Sequence, residues 1–273
     1  MVRREKLKKA KRIVIKVGTS TLTHDTGKIN LTRMDRLARA VSDLMNQGKE
    51  VVLVSSGAIG VGMGKLKLKH KPKTMPEKQA TAAVGQCELM HLYSKLFGEY
   101  GHIVAQILLT RDVVDHEIRR TNVVNTFENL LKNGIVPIVN ENDTVSVEEI
   151  EKMISFGEND TLSAIVAELV EADALIILSD IDGLYDCDPR ENECSKLISI
   201  VEEITDEIAG FAGGAGTNRG TGGMATKLSA AQIALDAGTD MIIANGKEPM
   251  VVLEIMEGKD IGTLFVAKKK SAR

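Results

Sequence analysis

Tryptophan is absent from the 273-residue sequence, and tyrosine and phenylalanine bring the aromatic share to only 3%. So few flat rings argue against a platform for stacking nucleic-acid bases. Cysteine is also scarce: Cys87, Cys187 and Cys194 cannot build a disulfide framework, and none stands in CxxC spacing. The 5 histidines include no HExxH and no close pair, which removes the common zinc patterns. A charge bias is missing as well. With 35 basic residues against 38 acidic ones the net charge is −3, so neither nucleic acid nor an anionic membrane is expected as a partner. No apolar run reaches membrane-spanning length, and the basic start MVRREKLKKAKR leads into a strand-like run, not an apolar signal core. A cytoplasmic protein is the expectation. The usual nucleotide fingerprints are lacking too. Gly57, Gly60, Gly62 and Gly64 do not fit GxGxxG, and Thr226-Lys227-Leu228 does not fit a Walker A loop.

What is present is an ordinary globular balance, 43% hydrophobic and 27% charged, in a chain long enough for one large α/β domain or two lobes. Short apolar runs alternate with helical stripes. Strands are expected from Arg12 to a glycine turn at Gly18, then over 50–54, 103–109, 135–139, 174–178, 241–244 and 262–266. Helices are expected over 32–47, 79–100, 121–133, 161–171, 225–237 and 251–256. The lysine-rich, proline-containing stretch 63–78 reads as a solvated loop. This alternation predicts an α/β fold, a three-layer αβα sandwich around a mainly parallel sheet. No linker or repeat interrupts it, so any two lobes share one sheet.

Polar residues then collect where strands end. Asn140-Glu141-Asn142-Asp143 follows one apolar strand, and Asn159-Asp160 returns at the head of a helical pattern. Such residues make turns and caps, but two dense clusters at strand and helix ends predict facing walls of a small-molecule site. Lys16 lies inside an apolar strand and is followed at once by Gly-Thr-Ser. A buried ammonium needs an anionic partner, and phosphate fits. The glycine run 213–223 ends in Met224-Ala225-Thr226-Lys227 at a helix start, which again suits phosphate.

The segments IVIKVGTSTLT, VVLVSSGAIGVG, IVPIVNENDTVS, FGENDTLSA, LSDIDGLYDCDP and GTGGMATK occur in this order from Ile13 to Lys227. Together they resemble the amino acid kinase family, and the NEND and FGENDTLSA segments resemble its members acting on free glutamate. The resemblance implies transfer of a phosphoryl group from ATP to the γ-carboxylate of L-glutamate, the first step of proline biosynthesis. It implies Lys16, Asp160 and Lys227 as catalytic residues, and Ser56, Asp143 and Asn159 as glutamate ligands, with Asn142 nearby. An ATP site is implied at Lys16, Ser179, Asp180, Thr221, Gly222, Gly223, Met224, Ala225, Thr226 and Lys227, with Gly18 and Gly57 allowing close backbone approach. Asp182 and Asp186 read as turn formers. Mg²⁺ is expected with the ATP and without direct protein ligands. A glutamate-binding lobe over about 1–170 and an ATP-binding lobe over about 171–273 are expected in one domain.

Further expectations follow from the same likeness. They are a homo-oligomer (dimer or tetramer), feedback by L-proline, and a glutamyl phosphate reductase as partner. Many bacterial members carry a C-terminal PUA domain, and this chain resembles the catalytic domain alone. The competing readings are a kinase for another small acid, a catalytically silent amino-acid sensor, and a dinucleotide oxidoreductase. The first would gain nothing from Asp143 if its substrate's amine were acylated, the second is at odds with the three charged residues, and the third lacks its fingerprint.

Overall fold

The structure, a computed structural model, describes residues 3–24, 26–145, 159–189, 192, 194–211 and 223–268. Its eight described strands are β1 (Arg12–Val17), β2 (Glu50–Ser55), β3 (Val104–Leu109), β4 (Val136–Glu141), β5 (Ala174–Ser179), β6 (Ile200–Val201), β7 (Asp240–Asn245) and β8 (Thr263–Phe265). They form one sheet in the order β3-β4-β2-β1-β5-β7-β8-β6. All neighbours run parallel except β7 and β8. After β1 the chain adds β2 beside it, then edge strand β3, then β4 between β3 and β2, and finally crosses to place β5 on the other side of β1. That reversal makes the carboxyl end of β1 a switch point, where open α/β sheets leave a crevice.

Alternation along β1 assigns the two faces. Ile13, Ile15 and Val17 join one core, with Leu37 and Val41 of α2 (Leu31–Asn46), Leu89 and Phe97 of α4 (Met75–Glu99), and Ile255 of α10 (Val251–Met256). Val14 joins the other core, with Phe127 of α6 (Glu117–Lys132), Leu162 and Val166 of α7 (Asn159–Leu169), and Ala231 and Ala234 of α9 (Met224–Ala237). Lys16 follows Val14 at the strand period of two, so it faces the layer that holds α7 and α9. Four short helices complete the described set: α1 (Thr19–Leu22), α3 (Ala58–Leu66), α5 (Arg111–Asp115) and α8 (Asp206–Gly210). The expected three-layer sandwich is therefore observed. No described helix is long and apolar enough to cross a membrane.

Several boundaries differ from the sequence reading for local reasons. The loop expected over 63–78 shrinks to the few residues between α3 and α4. Thr74 accepts from the Glu77 backbone N–H and the Glu77 carboxylate accepts from the Thr74 N–H. This capping box, with Pro76 in the first turn, starts α4 earlier than its apolar stripe does. β4 continues through Asn140 and Glu141, because β3 pairs with it as far as Leu109↔Glu141. α7 begins at Asn159, which puts Asp160 within the first turn instead of before it. The basic start also differs, for a 3₁₀ turn, Arg4–Lys9, precedes β1. Arg4 within it is 2% exposed and donates to the carbonyls of Ser199, Ile261 and Gly262.

α3 and α4 cross unusually closely. A Cβ at Gly62 would lie 2.0 Å from the Thr81 carbonyl oxygen, and one at Gly85 would lie 1.7 Å from that of Ala58. Only glycine at both positions lets the long helix approach the end of β2.

Candidate active site

Three charges meet at the carboxyl end of β1. Lys16 Nζ lies 2.6 Å from Asp160 Oδ1, a close ion pair. Lys227 Nζ lies 3.1 Å from Oδ2 and donates to it, and the Thr226 hydroxyl approaches the same oxygen at 3.4 Å. Lys16 is 9% exposed, Lys227 4% and Asp160 1%. Burial by itself would raise the Asp160 pKa, but the two ammonium groups outweigh it and hold the carboxyl below its ordinary value. The fold explains the meeting. α7 and α9 lie side by side on one face of the sheet, each carries its charged residue in its first turn, and Lys16 reaches up between them from the central strand.

The residue before Asp160 looks the other way. Asn159 Nδ2 donates to Ser56 Oγ at 2.8 Å and to Asn140 Oδ1 at 2.9 Å. Asn140, 3% exposed, in turn donates to Gln86 Oε1 of α4 at 3.0 Å. Beneath Ser56, the Ser55 hydroxyl bonds to the hydroxyl of fully buried Tyr93, 2.8 Å away, and donates to the Ser56 carbonyl. Gly57 follows with φ of 101°, a left-handed conformation that opens α3 directly at the strand end. Asp143 stands in a short turn after β4, and desolvation raises its pKa. Such a carboxylate gains from an arriving cation. Asn142 is turned into that same turn, where its side-chain oxygen accepts from the Thr144 hydroxyl at 2.5 Å.

The nucleotide-side expectations are placed more sparsely. Ser179 ends β5 and donates to Asp180 at 3.1 Å. Gly223 precedes α9, and Met224, Ala225 and Thr226 form its first turn with Lys227. The Thr226 hydroxyl donates to the Gly223 carbonyl at 2.8 Å. Thr221 and Gly222, with the glycine run before them, lie outside the described residues. Gly18 follows β1, with Lys16 Nζ 3.7 Å from where its Cβ would be. Asp182 accepts from Asn245 and Tyr185, and Asp186 from the Lys196 backbone, so both are engaged locally. Sequence reasoning placed Asn140 in a wall of the site without giving it a role of its own, and missed Gln86 and Tyr93 altogether. Asn140 carried one signal, as the first polar residue of an otherwise apolar strand.

Lysines flanking a buried carboxylate, beside a polar pocket and several helix starts, define an anion-handling site of the phosphotransferase type. Residues 11–245 match the amino acid kinase family. The chain belongs to that family. It is 64% identical to the glutamate 5-kinase of Clostridium perfringens (strain 13 / Type A), over 97% of this chain and 99% of that protein. It is 58% identical to the glutamate 5-kinase of Listeria monocytogenes (98% and 97% covered) and 56% identical to that of Enterococcus faecalis (96% and 97% covered). Among solved structures, isopentenyl phosphate kinase superposes with a TM-score of 0.65 at 14% identity, covering 93% of this chain and 100% of that one. The UMP kinase of Bacillus anthracis gives 0.63 at 18% identity, covering 95% and 97%. Those two similarities concern the fold.

Proposed function

We propose that this chain phosphorylates the γ-carboxylate of L-glutamate with ATP, yielding L-glutamyl 5-phosphate and ADP, the first step of proline biosynthesis. The observation that carries the reading is the start of α7. Consecutive side chains there serve two sites, Asp160 binding two lysines and Asn159 joining the Ser56–Asn140 pocket. A donor phosphoryl group held by the lysines and an acceptor held by the pocket would therefore be neighbours. The high identity to glutamate 5-kinases over nearly the whole chain supports glutamate as that acceptor.

The chemistry asks little of a base, because the acceptor carboxylate is already ionised at neutral pH. Its oxygen attacks the γ-phosphorus, the bond to the β–γ bridging oxygen breaks, and ADP leaves with the electron pair. The barrier is that an anion must approach a polyanion, so catalysis rests on positioning and charge neutralisation. In this reading Lys16 lies against the β- and γ-phosphates, Lys227 stabilises the transferring group, and Asp160 keeps both ammonium groups aimed. Asp143 receives the substrate ammonium, and Ser56 and Asn159 bind the rest of glutamate. The ATP site takes in Ser179, Asp180 and the head of α9, with Thr221 and Gly222 leading into it. Residues up to about 170 form the glutamate lobe and those from about 171 the ATP lobe, on a shared sheet.

Mg²⁺ comes with the nucleotide. Among the described residues no group of three or more His, Cys, Asp or Glu side chains is placed to hold a metal, and both Asp160 oxygens face lysines. The donor set thus suits an ion carried by phosphate oxygens and water, where it would spread the developing negative charge. A cytoplasmic homo-oligomer, inhibition by L-proline at the glutamate pocket, and hand-over of the labile acyl phosphate to a glutamyl phosphate reductase complete the proposal. The test is ADP release with L-glutamate, N-acetylglutamate, aspartate or carbamate as acceptor. Turnover with glutamate alone is expected, and turnover with only N-acetylglutamate would overturn the role given to Asp143.

A further inference from the structure

The pocket that would hold the amino acid is wired by amides, and amides have direction. Asn159 Nδ2 has two hydrogens, which go mainly to Ser56 Oγ and Asn140 Oδ1, and the Ser55 carbonyl oxygen lies 3.5 Å from the same nitrogen. Asn159 therefore offers its carbonyl oxygen to anything entering, and among the described residues no donor reaches that oxygen. Ser56 accepts from Asn159, so its own O–H remains to donate. The pocket consequently presents one acceptor and one donor side by side.

Ser56, Asn159 and Asn140 could exchange these roles among themselves, and near Asn159 the Ser55 carbonyl, 3.5 Å from its Nδ2, weakly favours the observed direction. If both asparagine amides were turned over, Ser56 would donate to Asn159 and Asn140 would donate to it as well. The pocket would then offer an N–H where it now offers an oxygen. The direction is reinforced at the far end, where Asn140 Nδ2 donates to Gln86 Oε1 at 3.0 Å. Turning the asparagines over would set Asn140 Oδ1 against that oxygen, two acceptors face to face, unless Gln86 also turned. The backbone that carries Gln86 is held at this point by the tight α3–α4 crossing at Gly85, one residue away. Seven residues along the same helix, Tyr93 supports Ser55 beneath Ser56. One helix thus buttresses both ends of the pocket.

We infer that Gln86, acting through Asn140, is a positioning residue that reinforces the amide direction of Asn159 so that the pocket selects an acceptor substrate carrying an ammonium group. Free glutamate at neutral pH has one hydrogen-bond donor group, its α-ammonium, so that group alone can meet Asn159 Oδ1. The nearby Asp143 supplies the charge, and the relay supplies the direction. This inference rests on the functional reading above and deepens it.

The test compares wild type, Gln86→Leu and Gln86→Glu. Glutamate KM, ATP KM and kcat are measured, together with the Ki of glutarate against glutamate. Glutarate keeps both carboxylates and lacks the amine. Glutamate at the Gln86 position can only accept, so Gln86→Glu retains the reinforcement, whereas leucine removes it. Gln86→Leu should raise glutamate KM by at least about tenfold, the scale of one lost buried polar partner. Its ATP KM, its kcat and its glutarate Ki should stay within about twofold of wild type, since the relay leaves these unaffected. Gln86→Glu should behave like wild type. An unchanged glutamate KM in Gln86→Leu overturns the inference. A parallel rise of KM and glutarate Ki also overturns it, because Gln86 would then shape the pocket and not its polarity. So does a Gln86→Glu variant as impaired as Gln86→Leu. Wild type that fails to use glutamate at all overturns the functional reading, and that outcome is visible before any variant is made.

Discussion

Replacing Asp160 with asparagine keeps the side chain's shape and removes one charge. The site around it shows what that charge holds. Two ammonium groups lie 2.6 and 3.1 Å from its oxygens, and all three residues are at most 9% exposed. Each contact is worth about 5–6 kcal/mol of attraction at an effective dielectric constant of roughly 20. Most of that offsets the cost of burying the charges, so the net loss on removing one member of a buried cluster is about 3–5 kcal/mol. For a domain of this size that corresponds to a fall in Tm of roughly 6–20 °C. The same change leaves Lys16 and Lys227 repelling each other and free to wander, and kcat should fall by about 100-fold or more. ATP should then stabilise the variant more than it stabilises wild type, because the phosphates supply the negative charge that the lysines have lost. Thermal melts of both proteins, with and without ATP, and initial rates measure all three effects. A Tm within about 2 °C of wild type, given the small shifts ordinary for surface changes, and an equal ATP shift would refute the reasoning.

Lys227→Ala should lower kcat by about two or more orders of magnitude with the fold intact, as for other lost electrostatic stabilisers, and near-normal turnover would remove its role. Asp143→Asn should raise glutamate KM and leave ATP KM unchanged; a rise in ATP KM instead would mean that the two pockets are misassigned. The same variant gives a pH test. Burial raises the Asp143 pKa from 3.8, so its ionised form costs stability at neutral pH, and the cost disappears as acid protonates it in both states. Asp143→Asn should therefore be the more stable protein near pH 7 and lose that advantage below about pH 3.8, the value for the unfolded chain; the opposite order would contradict the assignment. Asp160 runs the other way. Its pKa is lowered, so its contribution is present above 3.8 and is lost as pH falls through the folded value, which wild type should show and Asp160→Asn should lack in acid melts. Gly85→Ala would set a Cβ 1.7 Å from the Ala58 carbonyl, and forcing α3 and α4 apart should cost about 1–3 kcal/mol in stability with a matching rise in glutamate KM.

Those variants also mark what could be read in the sequence and what could not. The layer order was legible because each strand is an apolar run and each helix an apolar stripe, and both signals are local. Lys16 and Lys227 were legible because each breaks a local rule, a charge in an apolar strand and a cation at a helix start, whereas Asp160 suits a helix start and was singled out by the family resemblance. The meeting of the three was not legible, since it depends on α7 and α9 lying side by side over β1. The start of α4 was misjudged because lysines and prolines mask a capping box that helical periodicity does not register. Gln86 breaks no rule. A half-exposed glutamine within a helix is unremarkable in sequence, and it gains its meaning from a bond to Asn140, 54 residues away. Polar networks of this kind are set by tertiary approach, here through glycines at the α3–α4 crossing, and leave no periodic trace.

The central claim is that the phosphoryl group goes to the γ-carboxylate of free glutamate. Hydroxylamine traps an acyl phosphate as a hydroxamate, so the chain should be incubated with ATP, Mg²⁺, L-glutamate and hydroxylamine and its product identified. The account predicts γ-glutamyl hydroxamate in step with ADP release, abolished in Lys227→Ala. ADP release with no hydroxamate, or a folded protein that binds glutamate and forms neither product, would contradict it.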